Sequence, residues 1–334
     1  MMNIGVIGLG YWGPNLVRNF LNHEHVNRVV CCDLDEKQLI SIRKKYNNVV
    51  ITQDANVIFE DPSIDAVAIV TPIHTHFKLA KQALLKGKHI LVEKPFTASV
   101  SDAMELIELA ESKNLKISVD HTFLYTPAVE KIKELVMAGE IGKILYFDST
   151  RINLGLFQTD VNVIWDLVPH DFSIMNYVLD KKPLSVRAMG ADHVGSGLEN
   201  IAYVHIDFGD NLIAHFHVNW LSPVKIRQIL IGGSKRMILY NDMENSEKIK
   251  IFDKGISLKT GEEKYQQLVN YRLGDVRSPL LNNSEALSSM ISDFIDSIIS
   301  NKATRSSAYD GLAVVQLLEA TQESIKNKGK EIYL

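Results

Sequence analysis

The chain has 334 residues, of which 46% are hydrophobic and 23% charged, with a net charge of −4 and a pI near 6.3. This length exceeds one ordinary core and predicts two domains. The balance is that of a soluble globular protein: no basic stripe with interleaved aromatics calls for nucleic acid, and no apolar run approaches a membrane span.

In the first third, short apolar runs alternate with helical patterns. Residues 3–9, 26–34, 49–54, 65–72, 89–95 and 116–121 read as strands, and 13–23, 35–46, 75–87 and 99–114 as helices, with Ser101 a plausible cap for the last. Near-continuous apolar strands separated by helices are the signature of a parallel sheet covered on both faces. From about residue 123 the rhythm changes. After a helix at 126–142, strand patterns occupy 143–154, 184–193, 200–208, 212–221, 225–232 and 235–241, interrupted by a helix at about 165–180. Hairpin signals such as FGDN (208–211) and IGGSK (231–235) predict a mostly antiparallel sheet. Helices near 284–300 and 308–328 close the chain. The expected fold is therefore α/β: a parallel α/β domain over 1–122, then an α+β domain over 123–334.

Cys31 and Cys32 are the only cysteines. Neighbours in a strand point to opposite faces, so a disulfide between them would be strained. No CxxC or Cys/His spacing marks a metal site, and the His74/His76 spacing splits that pair across a helix start. A reducing, cytoplasmic setting and no metal are expected.

IGVIGLGYWGPN places Gly8, Gly10 and Gly13 as GxGxxG between a strand and a helix, with Tyr11 and Trp12 between the last two glycines. The glycines allow a tight turn, a close backbone approach to a pyrophosphate, and tight helix–strand packing; the helix N-terminus favours the anion. Asp33 ends the second strand twenty residues after Gly13, where a carboxylate accepts from a ribose diol. It would repel a 2′-phosphate, and no arginine follows it directly, which favours NAD over NADP; Arg43, one helix on, is the opposing consideration.

TPIHTHFKLAKQALLKGKHILVEKP (71–95) resembles the Gfo/Idh/MocA oxidoreductases, as do 4–13 and 165–171. The resemblance implies an N-terminal Rossmann doubly wound domain that binds NAD(P). It also implies a C-terminal domain whose large open sheet serves substrate binding and oligomerisation. It places Lys94 at the reacting carbon, Glu93 beside the nicotinamide, and a cis peptide bond before Pro95. Thr71, Pro72 and His76 would line the cofactor pocket, and Asp166 and His170 match the family's DxxxH motif. The glycines that often precede that motif are absent from NVIWDLVPHD.

The residues carry their own chemical reading. Oxidising a secondary alcohol needs a group to take a proton and a donor to steady the developing charge on oxygen. His170 has the pKa range for the first task and Lys94 the donors for either. Asp166 can orient an imidazole, bind a sugar hydroxyl, or merely serve as a cap or first-turn acid. Pro169 is tolerated if the helix begins near Trp165. Tyr125 in HTFLYTP is expected near a cleft entrance, and Trp165 adjoins the DxxxH pair. Arg151 and Asn153 point to one side of a strand, where the alternatives are substrate binding by both and a cross-strand salt bridge.

HTFLYTP, RINLG and WLSPVKIR look like the sugar-nucleotide branch of the family, which implies an NAD-dependent oxidation of a sugar or nucleotide-sugar, at C3 of a UDP-sugar. The alternatives are an inositol or free-polyol dehydrogenase and a non-catalytic NAD-binding regulator. A homodimer or homotetramer through the C-terminal sheet is expected, because an exposed apolar sheet face seeks a partner.

Overall fold

The structure, a computed structural model, describes residues 1–155, 157–258 and 269–334. The chain divides into two compact units: Met1–Thr126 with Ser284–Gln316, and Pro127–Asn283 with Leu317–Leu334. The sequence boundary at 122/123 lies close to the first division, but residues 284–316 pack with the first unit rather than the second.

In the first unit, strands β1 (Met2–Ile7), β2 (Val26–Cys32), β3 (Val50–Thr52), β4 (Ala66–Ile69), β5 (His89–Glu93) and β6 (Ile117–Asp120) form one sheet in the order β3-β2-β1-β4-β5-β6. All its pairings are parallel. The connecting helices are α1 (Gly13–Leu21), α2 (Glu36–Lys45), α3 (Asn56–Glu60), α4 (Ile73–Leu85) and α5 (Val100–Ser112). The sheet centre is buried because its strands are apolar there: Val29, Val30, Cys31 and Cys32 of β2 and Ala66–Ile69 of β4 are all buried. The order reverses between β1 and β4, and the crevice outside the carboxyl ends of these strands is where such sheets bind ligands. Ser99, not Ser101, caps α5 by accepting from the Asp102 amide. The short α3 escapes the sequence reading because five residues carry too little periodicity.

Helix Ala286–Ser300 buries Met290, Ile291, Phe294 and Ile295 in this unit. Glu285, just before it, pairs with Arg18 of α1, and Asp293 accepts from the Tyr125 hydroxyl.

The second unit opens with α6 (Pro127–Met137), β7 (Ile144–Leu154) and α7 (Val163–Leu179). Strands β8 (Ser185–Ala191), β9 (Ile201–Asp207), β10 (Ile213–Asn219), β11 (Leu221–Gly233), β12 (Met237–Asn241) and β13 (Ile249–Phe252) follow. The last strands are β14 (Gly255–Leu258), β15 (Val269–Arg272), β16 (Val276–Arg277) and β17 (Ile332–Tyr333). Nine of these make one sheet, ordered β16-β13-β12-β11-β7-β10-β9-β8-β17, and β14 and β15 pair separately. Only β7 and β10 run parallel in the large sheet. Alternation sets its two faces. Phe147, Ala202, Val204, Ala214 and Phe216 turn inward, and Phe172 of α7 meets Phe216 edge-on at 4.9 Å. Met189, Tyr203, Ile213 and Leu230 lie exposed on the other face.

Candidate active site

The crevice predicted by the strand reversal is a cleft of about 730 Å³ in the first unit. Gly8 and Gly10 line it, and Gly13 packs directly against Gly8. Gly8 has φ +97°, and a Cβ there would lie 2.3 Å from the Val70 carbonyl oxygen; one on Gly13 would lie 2.2 Å from the Gly8 oxygen. Both positions therefore exclude any side chain. At Gly10 a Cβ would meet nothing within 4 Å: the backbone there faces open space, which is what close approach of a pyrophosphate requires. Tyr11 and Trp12 stand exposed at the tip of this turn, ring edge against ring face at 5.2 Å, and are not among the cleft's lining residues.

Asp33 lines the cleft with both oxygens engaged: Oδ2 accepts from the Leu9 amide at 2.6 Å and Oδ1 from the Asp35 amide at 2.8 Å. Each carboxylate oxygen keeps further acceptor capacity for a diol. Leu34, Gln53, Asn56 and Phe59 continue the wall beyond it. Thr71 and Pro72 form the opposite side. Thr75 gives its only hydroxyl proton to the Pro72 carbonyl, so Thr71 is the donor in the 2.6 Å contact between the two hydroxyls.

His76, expected in this wall, lies behind it, 1% exposed. Its Nδ1 is 3.0 Å from the Pro95 carbonyl and its Nε2 2.7 Å from the Thr71 carbonyl. Two acceptor partners favour the imidazolium, but burial outweighs them and lowers its pKa. The neutral ring donates to one carbonyl at a time. His76 is thus a strut between the Thr71 turn and the peptide after Lys94. The residues of α4 that line the cleft are His74, Thr75, Lys78, Leu79 and Gln82. The last four follow the i, i+3, i+4, i+7 rule and so share one face of the helix, which begins at Ile73 rather than residue 75.

Glu93 and Lys94 emerge at the end of β5, half-buried, and the Lys94–Pro95 bond is cis. In register with Glu93, β6 ends at Asp120, and His121 follows. Asp120 and His121 are buried. Burial raises the Asp120 pKa against the opposing pull of the Thr122 hydrogen bonds and the Lys94 charge. His121 is 0% exposed, and neither ring nitrogen has a hydrogen-bond partner. Burial and then the Lys94 charge hold its pKa down to about 3. Neither residue is marked by sequence spacing.

In the second unit, α7 begins at Val163, not near Trp165. The side chain of Asn162 caps it, accepting from the Ile164 and Trp165 amides at 3.1 Å each, and is itself held by Glu199 and Gln322. Pro169 therefore sits inside the helix, where it has no N–H for the Trp165 carbonyl. Asp166 lies in the first turn but is not the cap. Its Oδ2 accepts from the indole Nε1–H of Trp220 at 3.1 Å. His170, one turn on, shares its face, and Trp165 is half-buried beside them.

Family models describing an oxidoreductase family with an NAD-binding Rossmann fold, and a GFO/IDH/MocA C-terminal domain, match residues 2–121 and 129–239. The chain belongs to the Gfo/Idh/MocA family. Among its relatives, the UDP-N-acetylglucosamine 3-dehydrogenase of Acidithiobacillus ferrooxidans is 27% identical over 77% of this chain and 76% of its own length. The uncharacterized oxidoreductase YrbE of Bacillus subtilis is 29% identical over 56% of each chain, so the match spans little more than half of that relative. A solved structure of the A. ferrooxidans enzyme, GnnA, superposes with a TM-score of 0.82 at 23% identity, covering 98% of both chains, and so shares the fold.

Two residues expected to touch substrate in this Gfo/Idh/MocA chain are occupied elsewhere. Tyr125 is 1% exposed; its hydroxyl donates to Asp293 at 2.6 Å, and burial followed by that carboxylate raises its pKa. Arg151 is buried and grips Asp171 with two bonds of 2.8 Å, Nε to Oδ2 and one terminal nitrogen to Oδ1. The salt bridge left open by the sequence is the observed role, formed with the residue next to His170 rather than across strands. Asn153 stays partly exposed near the end of β7, its amide packed where Gly155 leaves room. Among the described residues, no helix is long and apolar enough to cross a membrane.

Proposed function

We propose that this chain is an NAD-dependent dehydrogenase that oxidises a secondary hydroxyl of a nucleotide-sugar, at C3 of a UDP-sugar. The observation that carries the acid/base reading is the division of labour at the start of α7: Asn162 does the capping, so Asp166 and His170 present their side chains one turn apart on one face. The relationship to a UDP-N-acetylglucosamine 3-dehydrogenase over three quarters of both chains supports the substrate class.

The residues fit the cofactor. Gly10 leaves backbone facing open space, Gly8 and Gly13 let the turn and helix pack closely behind it, and Asp33 offers acceptors to the ribose diol. When bound, NAD supplies the hydride acceptor. In this reading Lys94 donates a hydrogen bond to the reacting oxygen, where negative charge develops. His170 takes the hydroxyl proton, and Asp166 orients the imidazole or a neighbouring sugar hydroxyl. Glu93, Thr71 and Pro72 border the cofactor, and Asn153 and Trp165 contribute to substrate binding. The exposed Met189, Tyr203, Ile213 and Leu230 support a homodimer or homotetramer through that face of the large sheet. Burial raises the Cys31 and Cys32 thiols to about 12 and 11, and two such inert, unpaired thiols are at home in a cytoplasm.

The test is a panel of free sugars, inositols and UDP-sugars, each assayed for NADH formation. Turnover of a UDP-sugar, reduced by orders of magnitude in Lys94→Ala with NAD affinity retained, is the expected result. Turnover confined to free polyols refutes the nucleotide-sugar assignment, and normal turnover in Lys94→Ala refutes the role of the lysine.

A further inference from the structure

A buried indole N–H needs an acceptor, and in this fold the acceptor at Trp220 is a carboxylate proposed above for catalysis. Trp220 sits in the turn between β10 and β11, 1% exposed. Its position is fixed at several points. Its amide donates to the Asn200 carbonyl at 2.9 Å, and its own carbonyl accepts from the Gly155 amide at 3.1 Å. Its neighbour Asn219 accepts from the Leu221 amide at 2.6 Å, and the Phe157 ring lies 5.4 Å from the indole. The residue across from it is glycine because space is short: a Cβ on Gly155 would come 3.1 Å from the indole Cδ1. With the indole so packed, its Nε1–H donates to Asp166 Oδ2, 3.1 Å away.

We infer that Trp220 is a positioning residue for the reaction: its indole N–H orients the Asp166 carboxylate and so aims the polar face of α7. This rests on the proposed role of Asp166. A donor on a rigid, buried ring fixes a short carboxylate better than a flexible lysine or arginine would, because little side-chain freedom remains to be lost. The bond also joins the first turn of α7 to the β10–β11 turn through a neutral donor. Hydrogen bonds to charged groups contribute enough that removing the donor corresponds to a ten- to hundredfold effect.

The chain has only three tryptophans, so the Trp220 indole resonance is identified by its loss in Trp220→Phe. In wild type it should be shifted downfield and protected from solvent exchange, and Asp166→Asn should move it. Trp220→Phe, which keeps an aromatic ring but no donor, should lower kcat ten- to hundredfold with KM and NAD affinity nearly unchanged. In an Asp166→Asn background the same substitution should cost almost nothing further, an interaction that a general loss of structure would not produce. An indole resonance indifferent to Asp166→Asn overturns the inference whatever the substrate. So do equal losses from Trp220→Phe in both backgrounds, or normal kcat in Trp220→Phe alongside an impaired Asp166→Asn. A fully active Asp166→Asn, or wild type inert toward the whole panel, instead overturns the functional reading, and the positioning role falls with it.

Discussion

Acid should reveal His121. The ring is 0% exposed, unpartnered at both nitrogens, and held at a pKa of about 3 against an ordinary value near 6.5. The unfolded chain therefore takes up this proton before the folded one does. The stability tied to the neutral ring is fully present above pH ~6.5 and is lost as the pH falls toward the folded value. For these two pKa values the loss is about 2 kcal/mol at pH 5 and about 3 kcal/mol at pH 4, a large share of a typical total of ~5–15 kcal/mol. His121→Leu removes the titrating ring and its two unsatisfied atoms at similar volume. Buried Asp120, whose pKa is raised, works in the opposite direction, but it is common to both proteins and cancels in the difference. Hydrogen exchange of the β5 and β6 amides, measured from pH 7 to 4, reports this unit alone. The wild-type protein should lose about 2–3 kcal/mol more protection than the variant over that range. Parallel curves, or a His121 resonance titrating near pH 6.5, would refute the reasoning.

Three further outcomes follow from the geometry. Arg151→Met leaves Asp171 as an unpaired buried charge and should destabilise the protein by about 3–5 kcal/mol in urea unfolding; a loss below about 1 kcal/mol would mean that water or another cation reaches the site. Gly10→Ala should fold like wild type, because a Cβ there meets nothing, yet weaken NAD binding at least tenfold by calorimetry, whereas Gly8→Ala should fail to fold properly; equal behaviour of the two would contradict the cradle. NAD should raise the melting temperature more than NADP at equal concentration, with Asp33→Ser narrowing the gap; a larger shift with NADP in wild type would overturn the role given to Asp33.

The first sheet was legible because its strands are apolar on both faces and its glycines stand at fixed offsets, both of which are local properties. The packing of residues 284–316 was not. The buried stripe Met290, Ile291, Phe294, Ile295 announces an amphipathic helix, but nothing in its spacing says which unit it will join. The site divides in the same way. Lys94 and the Asp166/His170 pair could be read from motif and spacing. Arg151 could not be decided, because its partner lies twenty residues away on another element, and only the fold brings the two within 2.8 Å. His121 gives no signal in the sequence because a histidine with no partner looks the same there as one in solvent; its meaning comes from being buried beside Lys94.

The start of α7 shows how a shift of two residues changes chemistry. A helix beginning near Trp165 would put Pro169 in its first turn at no cost and would invite Asp166 to serve as its cap. Beginning at Val163 instead places the proline in the interior, at a cost of about 3 kcal/mol. Tertiary burial outweighs that cost. Val163, Ile164, Val168, Phe172, Ile174, Met175 and Val178 are all at 0% exposure, each contributing on the order of 1.5–3 kcal/mol, and the Arg151–Asp171 pair fastens the same stretch to β7. With Asn162 satisfying the Ile164 and Trp165 amides, the Asp166 carboxylate is not the cap and accepts from the Trp220 indole in the β10–β11 turn. The capping residue upstream, and the packing that tolerates Pro169, are thus what make an acid/base assignment for Asp166 and His170 physically reasonable.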